Sequence, residues 1–585
     1  MANWLLKQTT ADYRELARQT GIPPALARIL AVRGLREPQQ VAGFLDADRP
    51  LSSPLLFADL PRALELCREM IETRQPCCIF GDYDADGVMS TVILYRALQA
   101  LGAQVSYYIP ERSEGYGLNI PALEKLAGDG IRYIIACDNG VSAFEQVERA
   151  NQLGMTVIIL DHHALSTDEQ GKQRLPAAAV VDAHRDDCGY PFKQYCAAGL
   201  CYRFAEALYA QLGGDAWQPL GDTLLAYAAF GTICDLVDLH GDNRLLARRG
   251  LELLPRLQQP GLRALLNATA LQHTPLGVYH IGFILGPCIN AAGRLGSAGD
   301  AVRLLLSDDP AEAEQLAAQL VALNDLRKEK TEQGAKLALN AIEQQRLQRQ
   351  RIIVVHHPDI EESVAGIIAG RIKEQFSRPV IVLSGRGDML RGSCRSVEGY
   401  NIFAGLSACR DILPNFGGHP LAAGLSIAAV NVAALRARLN QDCALTEDEL
   451  QPLYRIDMRL PLNEITLPFA EALTLLEPYG KGNPEPLFAE KGLRLLKLHI
   501  IGKKNNYLRW TLADGARSID AVDFNGAERL QTLLAARYGE TIWQELLDGR
   551  TAQPLLLDVL FTVSLNEFNG NRSAQMQIKD YRLSS

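Results

Sequence analysis

Between residues 76 and 181 the sequence alternates short runs of β-branched and aromatic residues with longer stretches of helical periodicity. The runs are candidate strands, and in chain order they read CCIF, VSYYI, YIIAC, TVIIL and AAVV. Strands that alternate with helices in this way are typical of βαβ units, whose strands run parallel within one sheet. The sequence therefore predicts an α/β fold built on a doubly wound parallel sheet.

At 585 residues the chain is long enough for several domains. We predict an N-terminal helical segment over 1–55, a larger α/β domain over 56–305 and a long connecting helix over 306–350. A smaller α/β domain over 351–452 precedes a small β-barrel of the OB type over 453–585. Within these domains, INAAGRLGSAGD is predicted to be a glycine-rich loop, Ser142 with Glu145 a capping box that starts a helix, and 526–547 a helix.

Composition sets limits on the class of protein. No apolar run reaches the ~18 residues that cross a bilayer, and the first residues mix charges into their apolar positions, so we expect a cytoplasmic protein. The 12 cysteines form no CxxC pair, which favours reduced, mostly buried thiols. The net charge of −9 does not exclude a nucleic-acid ligand, because an acidic cluster that holds cations contributes to this total.

Acidic residues follow the candidate strands at the point where each strand ends. The positions are Asp82, Asp84 and Asp86 after CCIF, Asp138 after YIIAC, and Asp161, His162 and His163 after TVIIL. The carboxyl ends of parallel strands meet at one crevice, so these side chains are expected to lie together. Asp235 in GTICDLVDL is a candidate fourth carboxylate, and Asp238 is its competitor.

Carboxylates with one or two imidazoles are the ligand set of Mn²⁺ or Mg²⁺. Two such cations about 3.5 to 4 Å apart can clamp the attacking and leaving oxygens of a phosphoryl displacement. Taken alone, DxDxDG is equally compatible with a calcium loop or a turn, and a histidine after a strand often only packs. Three motifs at the ends of three separate strands favour two-metal phosphoester hydrolysis.

Seven motifs, GDYDADG, CDNGVS, LDHH, GTICDLVDL, INAAGR, RGSCRS and GGHPLAAG, resemble those of the DHH phosphoesterase superfamily. Together they look like its branch of 5′-to-3′ single-stranded-DNA exonucleases, and the match runs from about residue 50 onward. The resemblance implies two divalent cations, Mn²⁺ or Mg²⁺, held by Asp84, Asp86, Asp138, His162 and Asp235. Asp138 would bridge the two cations, and Asp82 would be an auxiliary ligand or lie behind the ligands. The implied catalytic residues are His163, which faces the phosphate, Asp138 and Asp161.

The smaller α/β domain resembles DHHA1, the substrate-binding partner of the DHH domain. By this resemblance Ser393 and Arg395 of RGSCRS, with Gly418 and His419 of GGHPLAAG, bind phosphates, and Arg294 of NAAGR contributes from the larger domain. Glycines suit such a site because a missing Cβ lets backbone N–H groups approach a phosphate. Without these neighbours, GG is as compatible with an ordinary turn, and either arginine with a surface ion pair.

Two further segments suit single-stranded nucleic acid. In IPERSEGYGL, Arg112 is a candidate phosphate contact, and Tyr116 is either a base-stacking residue or simply a loop aromatic. In the predicted barrel, GKKNNYLRW interleaves basic and aromatic residues, namely Lys503, Lys504, Tyr507, Arg509 and Trp510. A charged hairpin turn is the alternative there.

Three other functions stay open on the sequence. The chain could be a relative that hydrolyses pyrophosphate, cyclic dinucleotides or short oligonucleotides, a replication scaffold without metals, or a binding module that uses its basic patches alone. The polarity of digestion follows from the resemblance only. The same holds for the implied partners, which are single-stranded DNA, single-strand-binding protein and a RecQ-type helicase. We expect a monomer.

Overall fold

The computed structural model of the chain divides into two compact units, Leu51–Pro452 and Ala2–Pro50 joined with Leu453–Ser585. It describes residues 2–168, 170–213, 217–502, 507–515, 517–524, 526–550, 554–568 and 570–584. No helix within these ranges is both long and apolar enough to cross a membrane.

The first unit begins with a sheet of five parallel strands. In spatial order they are Val105–Tyr108, Cys77–Phe80, Tyr133–Cys137, Thr156–Leu160 and Ala179–Val181. Every residue of the second and third of these strands is buried, as expected for a sheet that is covered on both faces. The predicted parallel α/β fold is confirmed.

Helices cover both faces of this sheet. Alternate strand residues enter different apolar clusters, with Ile79 and Ile135 in one and Cys78 and Ile134 in the other. Because side chains alternate along a strand, the two clusters lie on opposite faces, and the sheet is doubly wound. The helices of this domain, some of which pack only on other helices, include Leu60–Glu72, Ala85–Ala100, Ile120–Gly128, Phe144–Gln152, Ala197–Leu212, Trp217–Cys234, Gly241–Leu253, Pro260–Ala268 and Ala298–Leu306.

The segment INAAGRLGSAGD is mostly helical, so the predicted glycine-rich loop is wrong. A helical turn Val278–His280 leads into a π-helical turn, Ile281–Leu285, and then into the helix Gly286–Leu295. Gly293 lies inside this helix, where a Cβ would come within 2.3 Å of the Tyr83 carbonyl oxygen. The glycine is required for close packing and not for a turn.

The predicted capping box of Ser142 and Glu145 is also wrong. The helix begins at Phe144, and its N-cap residue Ala143 makes no side-chain hydrogen bond. Ser142 Oγ instead lies 3.3 Å from Ser166 Oγ. The serine therefore joins two loops at the carboxyl edge of the sheet.

A single 35-residue helix, Pro310–Gln344, leads to the second sheet of this unit. The Asp309 side chain caps the helix by accepting the Ala311 N–H, and proline occupies the first helical position, where its missing N–H costs nothing. The helices that follow are Glu362–Phe376, Ile402–Ser407 and Val432–Gln441.

The second sheet has five strands. Their spatial order is Asn415–His419, Ala422–Ala428, Met389–Arg395, Val380–Ser384 and Ile353–His356. Only the last two are parallel, and the others pair antiparallel. This is the smaller α/β domain that the sequence predicts.

The second unit contains a closed barrel, which confirms the predicted OB-like domain. Its strands follow the order Met458–Arg459, Phe488–Ile501, Tyr507–Ala513, Ser518–Asp523, Asn571–Leu583 and Leu556–Phe568, and the last of these also pairs with the second. The predicted helix over 526–547 is two helices, Ala527–Tyr538 and Ile542–Asp548, separated at Gly539, where φ is 90°.

The N-terminal segment belongs to this second unit. Its strand Asn3–Leu6 pairs in parallel with Leu453–Ile456. Its helices are Tyr13–Thr20, Pro24–Val32 and Pro38–Leu45, and Leu467–Leu473 is a further helix of the unit. Leu26 and Leu30 share one buried cluster with Phe488 of the barrel, so the segment contributes to the core of the barrel unit.

Candidate metal centre and phosphate site

The loops after three adjacent parallel strands bring the predicted acidic residues together. Three overlapping groups have ligand atoms within 4.8 Å of one another. The groups are Asp82, Asp84 and Asp138; Asp86, His162 and Asp235; and Asp138, Asp161, His162 and His163. Asp238 belongs to none of these groups in the described structure, so the geometry favours Asp235 over its competitor.

Asp84 and Asp86 are fixed by two helix N-termini. The Asp84 side chain caps the helix Ala85–Ala100 and accepts the N–H groups of Asp86 and Gly87 at 2.9 and 3.1 Å. The Asp86 carboxylate accepts the N–H groups of Ala197 and Ala198, at 2.8 and 2.9 Å, where another helix begins. Backbone donors at a helix start favour a negative charge. The motif alone does not indicate this second anchor.

Asp138 has a backbone that non-glycine residues rarely adopt, with φ at 63°. The adjacent Asn139 holds it there, because its Nδ2 donates to the carbonyl oxygens of Phe80 at 3.2 Å and Cys137 at 2.9 Å. These two carbonyls end neighbouring strands. Such conformations persist where surrounding contacts determine them, and they cluster at functional sites.

His162 lies at the centre of the acidic residues. Its Nε2 atom is 3.2 Å from Asp138 Oδ1, 3.8 Å from Asp86 Oδ2 and 3.9 Å from Asp235 Oδ2. Asp235 directly follows the helix Trp217–Cys234. One imidazole nitrogen therefore faces carboxylates from two strand ends and a helix end.

His163 points to a different partner. Its Nδ1 atom lies 2.7 Å from Asp161 Oδ1, and the other oxygen of Asp161 accepts the N–H of Val141 at 3.1 Å. The Tyr116 hydroxyl donates to the carbonyl oxygen of Asp138 at 2.7 Å and lies 3.3 Å from His163 Nε2. Asp161 therefore orients the histidine from behind, and Nε2 is left to face the crevice.

The pKa shifts separate two kinds of carboxylate. Burial raises the pKa of Asp138, Asp86 and Asp82, and neighbouring aspartates raise it further, to about 7 for Asp82. Burial is the largest single influence on Asp161 and acts to raise its pKa, but the hydrogen bond from His163 and the charges of His163 and His162 together outweigh it, and the pKa falls. His163 shows the counterpart: burial opposes its charge, yet Asp161 raises its pKa to about 9. Asp161 and His163 form an ion pair.

The crowded carboxylates fit divalent cations. Buried like charges a few ångströms apart destabilise one another, and a bound cation reverses this effect. Asp82 Oδ1 is buried and has no hydrogen-bond partner among the described residues. The donors are carboxylate oxygens and one imidazole, which suit Mn²⁺ or Mg²⁺.

A cluster of arginines gathers beside this centre. Arg112 Nε donates to the Gly293 carbonyl oxygen at 2.7 Å, and its guanidinium lies 4.2 Å from the centre of the Tyr83 ring. Arg294 donates to the Ser363 carbonyl oxygen at 3.2 Å. Burial, together with the nearby charges of Arg112, Arg327 and Arg395, lowers the pKa of Arg294 to about 10. Positive charges that repel one another in this way suit a bound anion.

Ser393 and Arg395 approach the cluster from the second sheet. A Cβ at Gly366 would lie 3.1 Å from Arg395 Nη2 and 3.5 Å from Ser393 Oγ, so this glycine gives both side chains room. Sequence reasoning missed Gly366, because a glycine within a helix carries no motif. Ser393 also lines a cavity of about 360 Å³ together with Glu362, Asn415 and Gly417.

Gly418 and His419 lie on the edge strand of that sheet. Gly418 has φ at 143°, and a Cβ there would come within 2.4 Å of the Ala422 carbonyl oxygen. His419 is exposed at the end of the strand. The glycine is therefore needed for the hairpin itself, and both residues are accessible to a ligand.

The five barrel residues that were predicted to bind nucleic acid differ in where they lie. Lys503 and Lys504 lie outside the described residues. Tyr507 packs edge-on against Phe524, at 5.3 Å between ring centres, and Arg509 is exposed. Trp510 is 0% exposed and packs in the barrel core with its ring 5.0 Å from that of Tyr581. Because alternate residues of a strand point inward, the prediction that Trp510 binds nucleic acid is wrong.

Three family models match the chain. They are the DHH family N-terminal domain over residues 76–232, the DHHA1 domain over 349–444 and the RecJ OB domain over 456–580. Their order and limits follow the parallel sheet, the second sheet and the barrel. The three models therefore cover both sheets and the barrel.

Curated proteins and solved structures give the same result. The chain is 34% identical to the single-stranded-DNA-specific exonuclease RecJ of Bacillus subtilis strain 168, over 99% of this chain and 71% of that protein. It is 32% identical to the protein of the same name from Escherichia coli K12, over 95% of each. A crystal structure of RecJ with Mn²⁺ from Thermus thermophilus matches with a TM-score of 0.81 at 29% identity, over 100% of this chain and 80% of that one.

Proposed function

Because the chain belongs to the RecJ family of single-stranded-DNA-specific exonucleases, we propose that it removes nucleotides from an end of single-stranded DNA. The family resemblance implies digestion from the 5′ end with release of 5′-mononucleotides. One observation carries the proposal: the carboxylate centre that could hold metal ions lies beside the arginine cluster. Gly293, in the helix that also carries Arg294, packs on Tyr83, which lies between Asp82 and Asp84. A hydrolytic centre beside an anion site suits cleavage near a phosphate-bearing end.

The proposed cofactors are two divalent cations, Mn²⁺ or Mg²⁺. Solved structures of RecJ from Thermus thermophilus contain one or the other. Asp84, Asp86, Asp138, His162 and Asp235 would hold them, and Asp82 would be an auxiliary ligand. When bound, such ions supply positive charge that stabilises an in-line phosphoryl displacement.

His163 would face the scissile phosphate. The Asp161 carboxylate accepts a hydrogen bond from Nδ1 of His163, so the imidazole presents Nε2 to the crevice. With a pKa of about 9, the imidazole stays positively charged at neutral pH. A fixed cation aimed at phosphoryl oxygens stabilises the charge that develops on them. We propose that His163 and Asp161 act as one unit with Asp138, whose carbonyl is held by Tyr116.

The arginine cluster would bind the terminal phosphate of the strand. Arg112 and Arg294 would act from the first domain, and Ser393, Arg395 and His419, with the Gly418 backbone, from the second. Guanidinium groups form paired hydrogen bonds with phosphate oxygens, which fixes the position of the end. Tyr116, with 54% of its surface exposed, offers a ring to the base near this end.

We further propose that the barrel binds single-stranded DNA, through Tyr507 and Arg509 and through Lys503 and Lys504. The proposed domain limits remain 56–305, 306–350, 351–452 and 453–585, with 1–55 as the N-terminal segment.

We also propose that the protein is a monomer in the cytoplasm. Its proposed partners are single-strand-binding protein and a RecQ-type helicase. The family resemblance supports the partners, and 12 free cysteines are compatible with the location.

The test is hydrolysis of a long single strand labelled at its 5′ end in one sample and at its 3′ end in another. We expect immediate release of the 5′ label as mononucleotide, only with Mn²⁺ or Mg²⁺, not from duplex, and not by the Asp138→Ala variant. Cleavage confined to two- to five-mers would contradict the proposal, as would undiminished activity in chelator.

A further inference from the structure

The barrel unit contains a pocket that the proposed exonuclease function does not use. It lies between the N-terminal helices Tyr13–Thr20 and Pro24–Val32 and the short strand Met458–Arg459. Its volume is about 430 Å³, which falls within the range of cavities that bind small ligands. The lining residues are Tyr13, Arg14, Pro24, Ala25, Arg28, Met458, Arg459, Pro461 and Glu464.

The two walls of this pocket are tied to each other. Lys7 Nζ and Arg33 Nη2 both bind the buried carboxylate of Asp457, at 2.8 and 3.2 Å, directly before Met458. The Lys7 N–H also donates to the Ile456 carbonyl oxygen at 2.9 Å. The N-terminal helices are therefore fixed against the barrel strand, and a ligand does not have to order the pocket in order to bind.

Two arginines of the lining have no carboxylate partner among the residues that the structure describes. Glu15, the acid next to Arg14 in the chain, accepts instead from Arg18 Nε at 2.8 Å. Arg28 packs on an aromatic ring, with its guanidinium 5.6 Å from the centre of Tyr13. The hydrogen-bond donors of Arg14 and Arg28 are therefore available to an anion.

The third arginine adds to this positive side. Arg459 Nε lies 3.0 Å from Glu490 Oε1, and its side chain is nevertheless 69% exposed because the glutamate holds it from the barrel side. The helix Pro24–Val32 also begins at the pocket and has no acidic residue in its first turn, so its dipole favours an anion in the same place. Glu464 contributes one negative charge to the lining.

The rest of the lining is apolar. It consists of one aromatic ring, two proline rings, a methyl group and a thioether, from Tyr13, Pro24, Pro461, Ala25 and Met458. We propose that this pocket docks a short acidic segment of a partner protein, in which carboxylates flank one aromatic or large aliphatic residue. The guanidinium groups would bind the carboxylates in pairs of hydrogen bonds, and the apolar side chain would leave water.

A nucleic acid suits this pocket less well than a peptide. Met458 pairs with Phe488, the first residue of the strand Phe488–Ile501, whereas Tyr507 of the proposed DNA-binding set pairs with the last. The strand has 14 residues, so the two places are roughly 40 Å apart along it. Glu464 repels the continuous charge of a phosphate backbone, while its carboxylate can accept single peptide N–H groups.

The experiment measures binding of three labelled, end-capped hexapeptides to the full-length protein by fluorescence anisotropy. DEDFED carries carboxylates around a phenylalanine, DEDSED lacks the aromatic ring, and NQNFQN lacks the charges. We expect a micromolar Kd for DEDFED and binding weaker by about 10-fold or more for each of the other two. This pattern shows that the site needs both the acidic and the apolar part of the ligand.

Arg14→Gln with Arg28→Gln should weaken DEDFED binding by about 10-fold or more and leave hydrolysis of single-stranded DNA unchanged. The matched control is Arg36→Gln with Arg537→Gln, which removes the same charge from two exposed arginines of this unit that lie outside the lining. It should bind DEDFED like the wild type. Arg14→Gln alone alters only an exposed side chain and should weaken binding about 3-fold, so the test does not depend on the folding of the double variant.

Four outcomes would overturn the proposal. They are equal binding of the three peptides, no binding of DEDFED by the wild type, equal weakening in the lining variant and its control, and DEDFED binding that the lining variant retains in full. If the lining variant keeps the peptide but loses hydrolysis of long single strands, the pocket belongs to the DNA path instead.

Discussion

The Nδ1 atom of His163 lies 2.7 Å from the carboxylate of Asp161, two residues earlier in the chain. The same Asp-x-His sequence follows the next strand, where His184 Nδ1 lies 3.1 Å from Asp182 Oδ1. Among the residues that the structure describes, only the first pair shares its group of candidate metal ligands with Asp138. Both pairs are local Asp-x-His turns, but only Asp161 and His163 are placed for catalysis.

Asp161→Asn should lower kcat by about 100-fold or more and change KM little, because the amide no longer holds His163 charged and oriented. The variant's activity should also fall at a lower pH than that of the wild type, since the pKa of about 9 for His163 depends on Asp161. Steady-state kinetics between pH 6 and 10 with saturating Mn²⁺ provide the measurement. His184→Ala, which breaks the corresponding turn, serves as the control and should keep near-normal kcat. Equal losses in both variants would indicate a structural role for Asp161.

Metal removal should make stability depend on pH. The folded-state pKa of Asp82, Asp86 and Asp138 lies above the usual carboxyl value. Their protonated forms therefore stabilise the fold fully below about pH 4, and this contribution, on the order of a few kcal/mol, is lost as pH rises toward about 7 for Asp82. Thermal unfolding in chelator should show Tm falling across this window, while Mn²⁺ should restore it. A metal-free Tm that rises over the same range would refute the raised pKa values.

Gly293→Ala should destabilise the metal loop, because the new Cβ would lie 2.3 Å from the Tyr83 carbonyl oxygen. We expect a loss of about 1 to 3 kcal/mol in the free energy of unfolding and weaker Mn²⁺ binding. Gly299→Ala is the control, since its nearest neighbour is a serine hydroxyl at 3.4 Å, and it should be neutral or slightly stabilising. Chemical denaturation and calorimetric titration with Mn²⁺ measure both quantities. Identical behaviour of the two variants would show that the loop moves freely away from the helix.

Gly293 also illustrates what the sequence can and cannot predict. The parallel sheet and the meeting of Asp84, Asp138 and His162 were predictable, because strand periodicity and acidic residues at strand ends are local signals. The helix through Gly293 was not predictable, because the sequence does not distinguish a glycine required for tight packing from one required for a turn. Sequence-distant packing decides between the two.

Two other features depend on distant contacts in the same way. The direction of Trp510 is set by strand register within the barrel, and a basic–aromatic string does not reveal that register. The backbone donors of Ala197 and Ala198 that hold Asp86 come from a helix more than a hundred residues away. Main-chain groups carry no sequence signature, so neither anchor could be anticipated.

Arg294→Met should distinguish strands by their terminal group. The methionine keeps much of the volume of a half-buried side chain but removes its hydrogen-bond donors, so binding of a terminal phosphate should weaken by about 10- to 100-fold. We expect kcat/KM to fall by this factor for 5′-phosphorylated strands and much less for 5′-hydroxyl strands. Arg386→Met is the control, because that arginine is 78% exposed and pairs with Asp359 on the surface. If Arg294→Met lowers kcat/KM equally for both kinds of strand, the arginine acts on the strand as a whole or on the fold, and the terminal phosphate must be bound elsewhere.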